Sequence, residues 1–327
     1  MRAVIESIGA YAPPRRVSND EFAKIVDTTD EWIVSHTGIR FRHIAADDQA
    51  ASDMAIEAGK LAMGRAGVEP GDIDLVIVSS ASSDYPGFPA TACIVQDKLG
   101  LRKAGAMDLL AGCTGFIYGL ETAKNYIVSG SAKKILVIGA ETLTRIMDWT
   151  DRNTCVLFGD GAGAAVVGAS ESDSRGIIDS ILRAEGSGAE LLDRPAGGSR
   201  MPFKAGETDP SELYIKMDGG KVYIFAVRVI VTTIKAILEQ NNLTIDDIKY
   251  IVPHQANIRI IEAAAKRSKI PLEKFYMNIQ EFANTSAASI PIALNEMVEK
   301  NLLKKGDKII TVGFGAGLTY GANLIVW

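Results

Sequence analysis

The chain has 327 residues, 47% of them hydrophobic, and a formal net charge of −5. This supplies one large or two ordinary domains with a sizeable core. No charge-free apolar run reaches the roughly 18 residues of a membrane span, and the acidic balance gives no general attraction to nucleic acid. Three cysteines (93, 113, 155) without a CxxC pair, and an opening Met1-Arg-Ala-Val-Ile-Glu-Ser without a signal-peptide core, read as a cytoplasmic protein rather than a disulfide framework. The three histidines (36, 43, 254) stand far apart and give a zinc site little support.

In chain order, Asp27-Thr-Thr-Asp-Glu-Trp-Ile is a helical start carrying Trp32, and Val68–Val78 ends in an apolar strand pattern. Phe88 sits in the Pro/Gly loop Tyr85-Pro-Gly-Phe-Pro-Ala. The run Asp108-Leu-Leu-Ala-Gly-Cys-Thr-Gly-Phe-Ile-Tyr-Gly-Leu then puts Cys113 on a tight strand-to-helix turn, with Phe116, Leu120 and Ile127 marking the helix face. A helix N-terminus favours an anion, and such a setting lowers a cysteine pKa and makes it a nucleophile. Taken alone, a cysteine here is as well explained by burial in the core.

Phe158-Gly-Asp-Gly-Ala-Gly lacks the spacing and the following Lys of a phosphate loop and reads as a close-packed turn entering a strand. Residues 186–216, rich in Gly, Ser and Pro, read as irregular surface structure bordering a substrate entrance. Tyr250-Ile-Val-Pro-His places His254 just past an apolar strand, and a helix follows from near Asn257. Its Arg259, Lys266 and Arg267 make part of that helix basic. Phe282-Ala-Asn-Thr-Ser-Ala-Ala-Ser-Ile-Pro places Asn284 just before another helical pattern. Gly313-Phe-Gly-Ala-Gly fails the dinucleotide pattern because position 318 is Leu.

The chain repeats itself. Val68–Val78 resembles Leu243–Pro253 at a displacement of 175 positions, and Lys134–Gly139 resembles Lys308–Gly313 at 174. The helix after Cys113 maps onto the one after Asn284 at the same displacement. Each half alternates helical periods with short apolar strands, the mark of α/β layers. Two copies about a pseudo-twofold would set the two helices side by side, with both N-termini opening near one site.

Cys, His and Asn, each at the end of a buried element, make a constellation for thiol chemistry on an acyl group. In this order, and with Pro253-His-Gln-Ala-Asn-Ile-Arg-Ile as the most specific string, the whole chain closely resembles the β-ketoacyl-acyl carrier protein synthase III family of the thiolase superfamily. The resemblance implies a five-layer αβαβα thiolase-like α/β fold of two duplicated halves, residues 1–172 with Cys113 and residues 173–327 with His254 and Asn284. It implies a decarboxylating Claisen condensation of a short acyl-coenzyme A with malonyl-acyl carrier protein, initiating type II fatty-acid synthesis. Cys113 would be the nucleophile, with His254 and Asn284 serving the enolate.

The glycine turn with Phe314 would help form an oxyanion hole and shield the thiol. Trp32 and Arg152 would sandwich the adenine of coenzyme A, Thr28 and Asn257 would line the pantetheine path, and Phe88 would close the acyl pocket across a homodimer. Arg259 would receive the acidic carrier protein. The substrates supply the acyl groups, and no cofactor or metal is implied. His36, Ala283 and Ala316 depart from the family's usual Arg, Gly and Gly, which bears on affinity and acyl preference.

Rival readings are a starter-unit ketosynthase or acyltransferase of secondary metabolism, a cysteine hydrolase, and a catalytically silent carrier-binding subunit. The missing CGSCW-type surroundings weigh against the hydrolase, and the intact Cys, His and Asn against the silent subunit.

Overall fold

The computed structural model describes residues 1–171 and 174–327, so the junction expected between residues 172 and 173 lies outside the described residues. The N-terminal elements that frame the site are β1 (Arg2–Tyr11), α1 (Asp30–Thr37), α2 (Ala51–Ala66), β2 (Leu75–Ser79), α3 (Thr91–Lys98), β3 (Gly105–Asp108), α4 (Gly115–Val128), β4 (Lys134–Thr142) and β5 (Asp160–Ser170). They are followed by β6 (Gly176–Ala184), α5 (Gly219–Gln240), β7 (Tyr250–Pro253), α6 (Ile258–Ser268), α7 (Ser289–Glu299), β8 (Lys308–Gly315) and β9 (Thr319–Val326).

The strands form two principal sheets. The first has the order β1-β5-β4-β2-β3, with β2 parallel to both neighbours and the rest antiparallel. The second has the order β6-β9-β8-β7, with only the β7–β8 pair parallel. Counting from its first strand, each sheet is built in the same order. Where β3 stands in the first sheet, the second has a single parallel bridge between Ile251 and Phe275.

Between the sheets lie α4 and α7. Phe116, Ile117 and Leu120 pack with Ile290 and Leu294 in one cluster that takes in Ile135 of the first sheet and Ile309 of the second. Ser289 through Asn295 are buried all round, as befits a helix enclosed by two sheets. Each large apolar side chain so enclosed contributes about 1.5–3 kcal/mol.

The outer faces are covered separately. Met54, Ala58 and Ala62 of α2 pack with Val76 and Leu136 on the first sheet. Phe225 and Ile230 of α5 pack with Ile260 of α6 and with Ile251 and Ile310 on the second. The layers therefore run αβαβα.

Glycines, among them Gly139 and Gly163, govern how closely the layers approach. A Cβ on Gly139 of β4 would collide with the carbonyl of Ala287, so only glycine lets the turn before α7 lie on the first sheet. That turn, Ser286–Ala288, thereby meets the Gly112–Thr114 turn before α4. The two helix N-termini face one place.

Candidate active site

Cys113 sits in the 3₁₀ turn Gly112–Thr114 at the head of α4. Gly315, closing β8, presses against it: a Cβ there would stand 2.6 Å from the Cys113 nitrogen. The Thr114 hydroxyl donates to the Ala111 carbonyl at 2.7 Å and also meets the Thr319 hydroxyl at 2.9 Å, tying the turn to β9.

His254 follows β7, and its N–H donates to the Val312 carbonyl at 2.8 Å. Its Nδ1 lies 2.7 Å from Ser289 Oγ on α7, and its ring meets Phe314 edge-on at 5.5 Å. The Gln255 N–H reaches the same Ser289 oxygen at 3.4 Å. That leaves the serine proton for Nδ1, so we assign the imidazole proton to Nε2.

Asn284 follows the short helix Ile279–Phe282. Its backbone pairs with the strip leading into β5, donating to Leu157 at 2.9 Å and accepting from Gly159 at 3.0 Å. Its Oδ1 accepts the Ser286 N–H at 2.8 Å, leaving the side-chain NH₂ for the cavity.

These three side chains line one cavity of about 820 Å³, together with Phe314, Trp32, His36 and Asn257. Residues 192–194, from the irregular segment expected at the entrance, line it too.

The electrostatics reverse one expectation. The sequence predicts a lowered cysteine pKa, but burial pushes the Cys113 thiol up to about 11. The hydroxyl of Ser286 and the N–H groups of Cys113 and Ala316 pull the other way and are outweighed, while the nearby Glu141 adds to the rise. Gly315 and the Ser286–Ala288 turn press on the Gly112–Thr114 turn and leave Cys113 buried, and burial disfavours the thiolate against the pull of the helix terminus. Burial likewise pushes His254 down to about 3. Burial thus disfavours the charged form of both groups.

The remaining expected residues divide. Arg152 lies over the Trp32 ring at 5.0 Å, and His36 stacks on the same ring at 4.4 Å. A base stacked between Trp32 and Arg152 needs about 7 Å, two contacts of about 3.5 Å, so at 5.0 Å the two groups stand too close to admit one without moving apart. His36 donates from Nδ1 to the Trp32 carbonyl at 2.8 Å, and Asn257 donates to the His36 carbonyl at 3.0 Å. Thr28 has a buried hydroxyl without a hydrogen-bond partner and does not line the cavity. Phe88 is 87% exposed on its loop, also away from the cavity. Arg259 projects from the exposed face of α6, as do Lys266 and Arg267. Among the described residues no cluster of His, Cys, Asp or Glu is placed to hold a metal ion, and no helix is long and apolar enough to cross a membrane.

Sequence reasoning passed over Glu141, Ser286 and Ser289. The signal for Glu141 was present: a carboxylate closes the otherwise apolar strand Ile-Leu-Val-Ile-Gly-Ala-Glu. It is fully buried.

Ala283 adopts φ 55° and ψ −157°, a region that suits glycine. Strain there costs about 1–3 kcal/mol, and glycine returns about 0.5–1 of that in chain entropy. Ala283→Gly should therefore stabilise the protein by about 1 kcal/mol, read as a rise of a few degrees in the midpoint of thermal unfolding. An unchanged or lower midpoint would mean that the buried methyl group offsets the strain.

Comparison with known proteins agrees with this fold. Residues 107–186 match the family described as 3-oxoacyl-[acyl-carrier-protein (ACP)] synthase III, and residues 238–327 match its C-terminal family. A beta-ketoacyl-[acyl-carrier-protein] synthase III of Caldanaerobacter subterraneus is 50% identical over 99% of this chain and 98% of its own. One of Natranaerobius thermophilus is 48% identical over 99% of each. The crystal structure of 3-oxoacyl-[acyl-carrier-protein] synthase III from Aquifex aeolicus superposes with a TM-score of 0.91 at 42% identity, covering 99% of this chain and 100% of that one. Fold, order of elements and full-length identity converge: the chain belongs to the beta-ketoacyl-[acyl-carrier-protein] synthase III family, acyl-transferring enzymes of the thiolase fold.

Proposed function

We propose that this enzyme condenses a short acyl-coenzyme A with malonyl-acyl carrier protein, with loss of carbon dioxide, and so begins type II fatty-acid synthesis. The observation that carries the reading is the meeting of Cys113, His254 and Asn284 in one cavity. Cys113 sulfur attacks the acyl-coenzyme A carbonyl, whose oxygen is held by the N–H groups beside the thiol, and coenzyme A leaves. Malonyl-acyl carrier protein then enters, and decarboxylation leaves an enolate. The Nε2–H of His254 and the NH₂ of Asn284 donate to the enolate oxygen, each worth on the order of 3 kcal/mol in a water-poor site. Its carbon attacks the acyl-Cys113 thioester, giving 3-ketoacyl-acyl carrier protein and freeing the thiolate. Side chains and backbone N–H groups of the chain itself perform every step, and no cofactor enters.

Identities near 50% to relatives bearing the synthase III name favour this pathway over a secondary-metabolite starter role. Incubation with acetyl-coenzyme A and malonyl-acyl carrier protein should yield acetoacetyl-acyl carrier protein by mass. Free acetate in its place would point to a hydrolase.

Several finer assignments belong to the same reading. Trp32 and Arg152 open to take the adenine, and Thr28 and Asn257 lie along the pantetheine. His36, in place of the usual Arg, weakens the phosphate contact. Phe88 and the exposed Leu110 are large apolar groups suited to a homodimer in which Phe88 closes the partner's acyl pocket. Residues 1–172 and 173–327 are the two duplicated halves. The three unpaired cysteines suit a cytoplasmic location.

Arg259 orients the acidic carrier protein. Arg259→Glu should raise the KM for malonyl-acyl carrier protein severalfold, with a penalty that shrinks as salt screens the repulsion. Self-acylation by free acyl-coenzyme A should change far less. Half-reaction kinetics at two salt concentrations check this, and a salt-insensitive loss of kcat alone would contradict docking at Arg259.

A further inference from the structure

Ala283, between the short helix Ile279–Phe282 and Asn284, holds a φ of 55° without being glycine. Backbone of this kind persists only where the chain on both sides of it is held. On one side, Asn284 donates to the Leu157 carbonyl and accepts from the Gly159 N–H. On the other, the short helix starts from Asn278, whose N–H donates to Oε1 of Gln255, the residue after His254. The far end of that helix is held by side chains that do not line the cavity. We propose that Glu281, clamped by Arg16 and His43, is a positioning residue that sets the direction of the Asn284 amide and so the rate of condensation.

The clamp stands on a two-stranded ribbon, Arg16–Ser18 against Phe41–His43, in which Arg16 and His43 are directly opposite each other. Arg16 grips the Glu281 carboxylate with two donors: Nε reaches Oε1, and Nη2 reaches Oε2 at 2.8 Å. The guanidinium lies over the Phe41 ring at 3.2 Å, which fixes its plane. His43 donates from Nδ1 to the Pro13 carbonyl at 2.6 Å, and its Nε2 stands 3.6 Å from Glu281 Oε1. The same ring stacks on Phe282 at 5.5 Å. Just before the ribbon strand, the Arg40 N–H donates to the Gln280 carbonyl at 3.0 Å. Gln280, Glu281 and Phe282 are therefore each held from this side immediately before the chain turns through Ala283 to Asn284.

Direction, rather than stability, is what the ion pair supplies. Its side chains are 43% and 33% exposed, and pairs so exposed add little to stability. A two-point fork between guanidinium and carboxylate fixes orientation. The Arg16 guanidinium, with His43 adding to it, holds the Glu281 carboxyl below its ordinary range, so the grip is charged at neutral pH. With the grip removed, the strained turn at Ala283 relaxes and the Asn284 NH₂ leaves the point where the enolate oxygen forms. A displacement of about 1 Å costs a reaction up to about a hundredfold. Acetylation of Cys113 precedes the enolate and does not use that amide.

This inference rests on the proposed condensation, and one set of measurements separates the two. Wild type, Glu281→Ala, Asn284→Ala and the double variant would be acetylated by acetyl-coenzyme A, followed by intact mass, and then chased with malonyl-acyl carrier protein at increasing concentration. Glu281→Ala should slow the maximal rate of the chase about tenfold or more, while the acetylation rate and the KM for malonyl-acyl carrier protein each change by less than about threefold. In the Asn284→Ala background the same substitution should cost less than about threefold, because the group it positions is gone. Arg16→Met, which opens the fork from its other side, should reproduce the selective loss and serves if Glu281→Ala is unstable.

Equal loss in both half-reactions, a chase at the wild-type rate, or penalties that multiply in full in the double variant would overturn the clamp. Failure of wild type to pass an acetyl group from Cys113 to the malonyl substrate would instead overturn the functional reading.

Discussion

Cys113→Ser should abolish acetyl transfer from acetyl-coenzyme A, by at least about a thousandfold, as expected when a nucleophile is removed from a unit that acts together. The thiol is already held at about 11 by burial, and an alcohol in that closed turn is far harder to ionise. The change is nearly isosteric, so the Gly112–Thr114 turn and its ties to Ala111 and Thr319 should survive. Intact mass after incubation with acetyl-coenzyme A checks it. Retained acetylation would place the nucleophile elsewhere.

Asn284→Ala should lower decarboxylation and condensation by about a hundredfold to a thousandfold, the usual loss for one preorganised donor. Acetylation of Cys113 should fall much less, because the enolate arises only after malonyl-acyl carrier protein has entered. One structural effect must be separated out. The Asn284 side chain accepts the buried Ser286 N–H, and leaving that donor unpaired costs about 1–3 kcal/mol of stability. Thermal unfolding of the variant measures that loss, and half-reaction kinetics measure the chemical one. Equal damage to both half-reactions would make Asn284 a structural residue.

Much of this site was legible because chemistry and pattern coincide. Cys113, His254 and Asn284 each stand where an apolar run stops and a helical period begins, and a repeat at 174 or 175 positions predicts that two of those helices lie together. The layered sheets with the same strand order follow from that repeat.

What the sequence did not disclose is what distant segments do to one another. The rise in the Cys113 pKa comes with burial beneath Gly315 and the Ser286–Ala288 turn, segments far along the chain, whereas the helix-terminus argument uses only neighbours. Glu141 reads as an ordinary strand end until Gly139 brings the 286–288 turn down beside it. The contact between Arg152 and Trp32 depends on two side-chain conformations that no spacing specifies.

The central claim is that one acyl group rests on Cys113 and is then passed to a carbon nucleophile made inside the same cavity. A pulse of radiolabelled acetyl-coenzyme A, removal of the free thioester, peptide mapping, and a chase with unlabelled malonyl-acyl carrier protein test it directly. The label should appear on the Cys113 peptide alone and move during the chase into acetoacetyl-acyl carrier protein with release of unlabelled carbon dioxide. Label on Cys93 or Cys155, or label that stays on Cys113 through the chase, would contradict it.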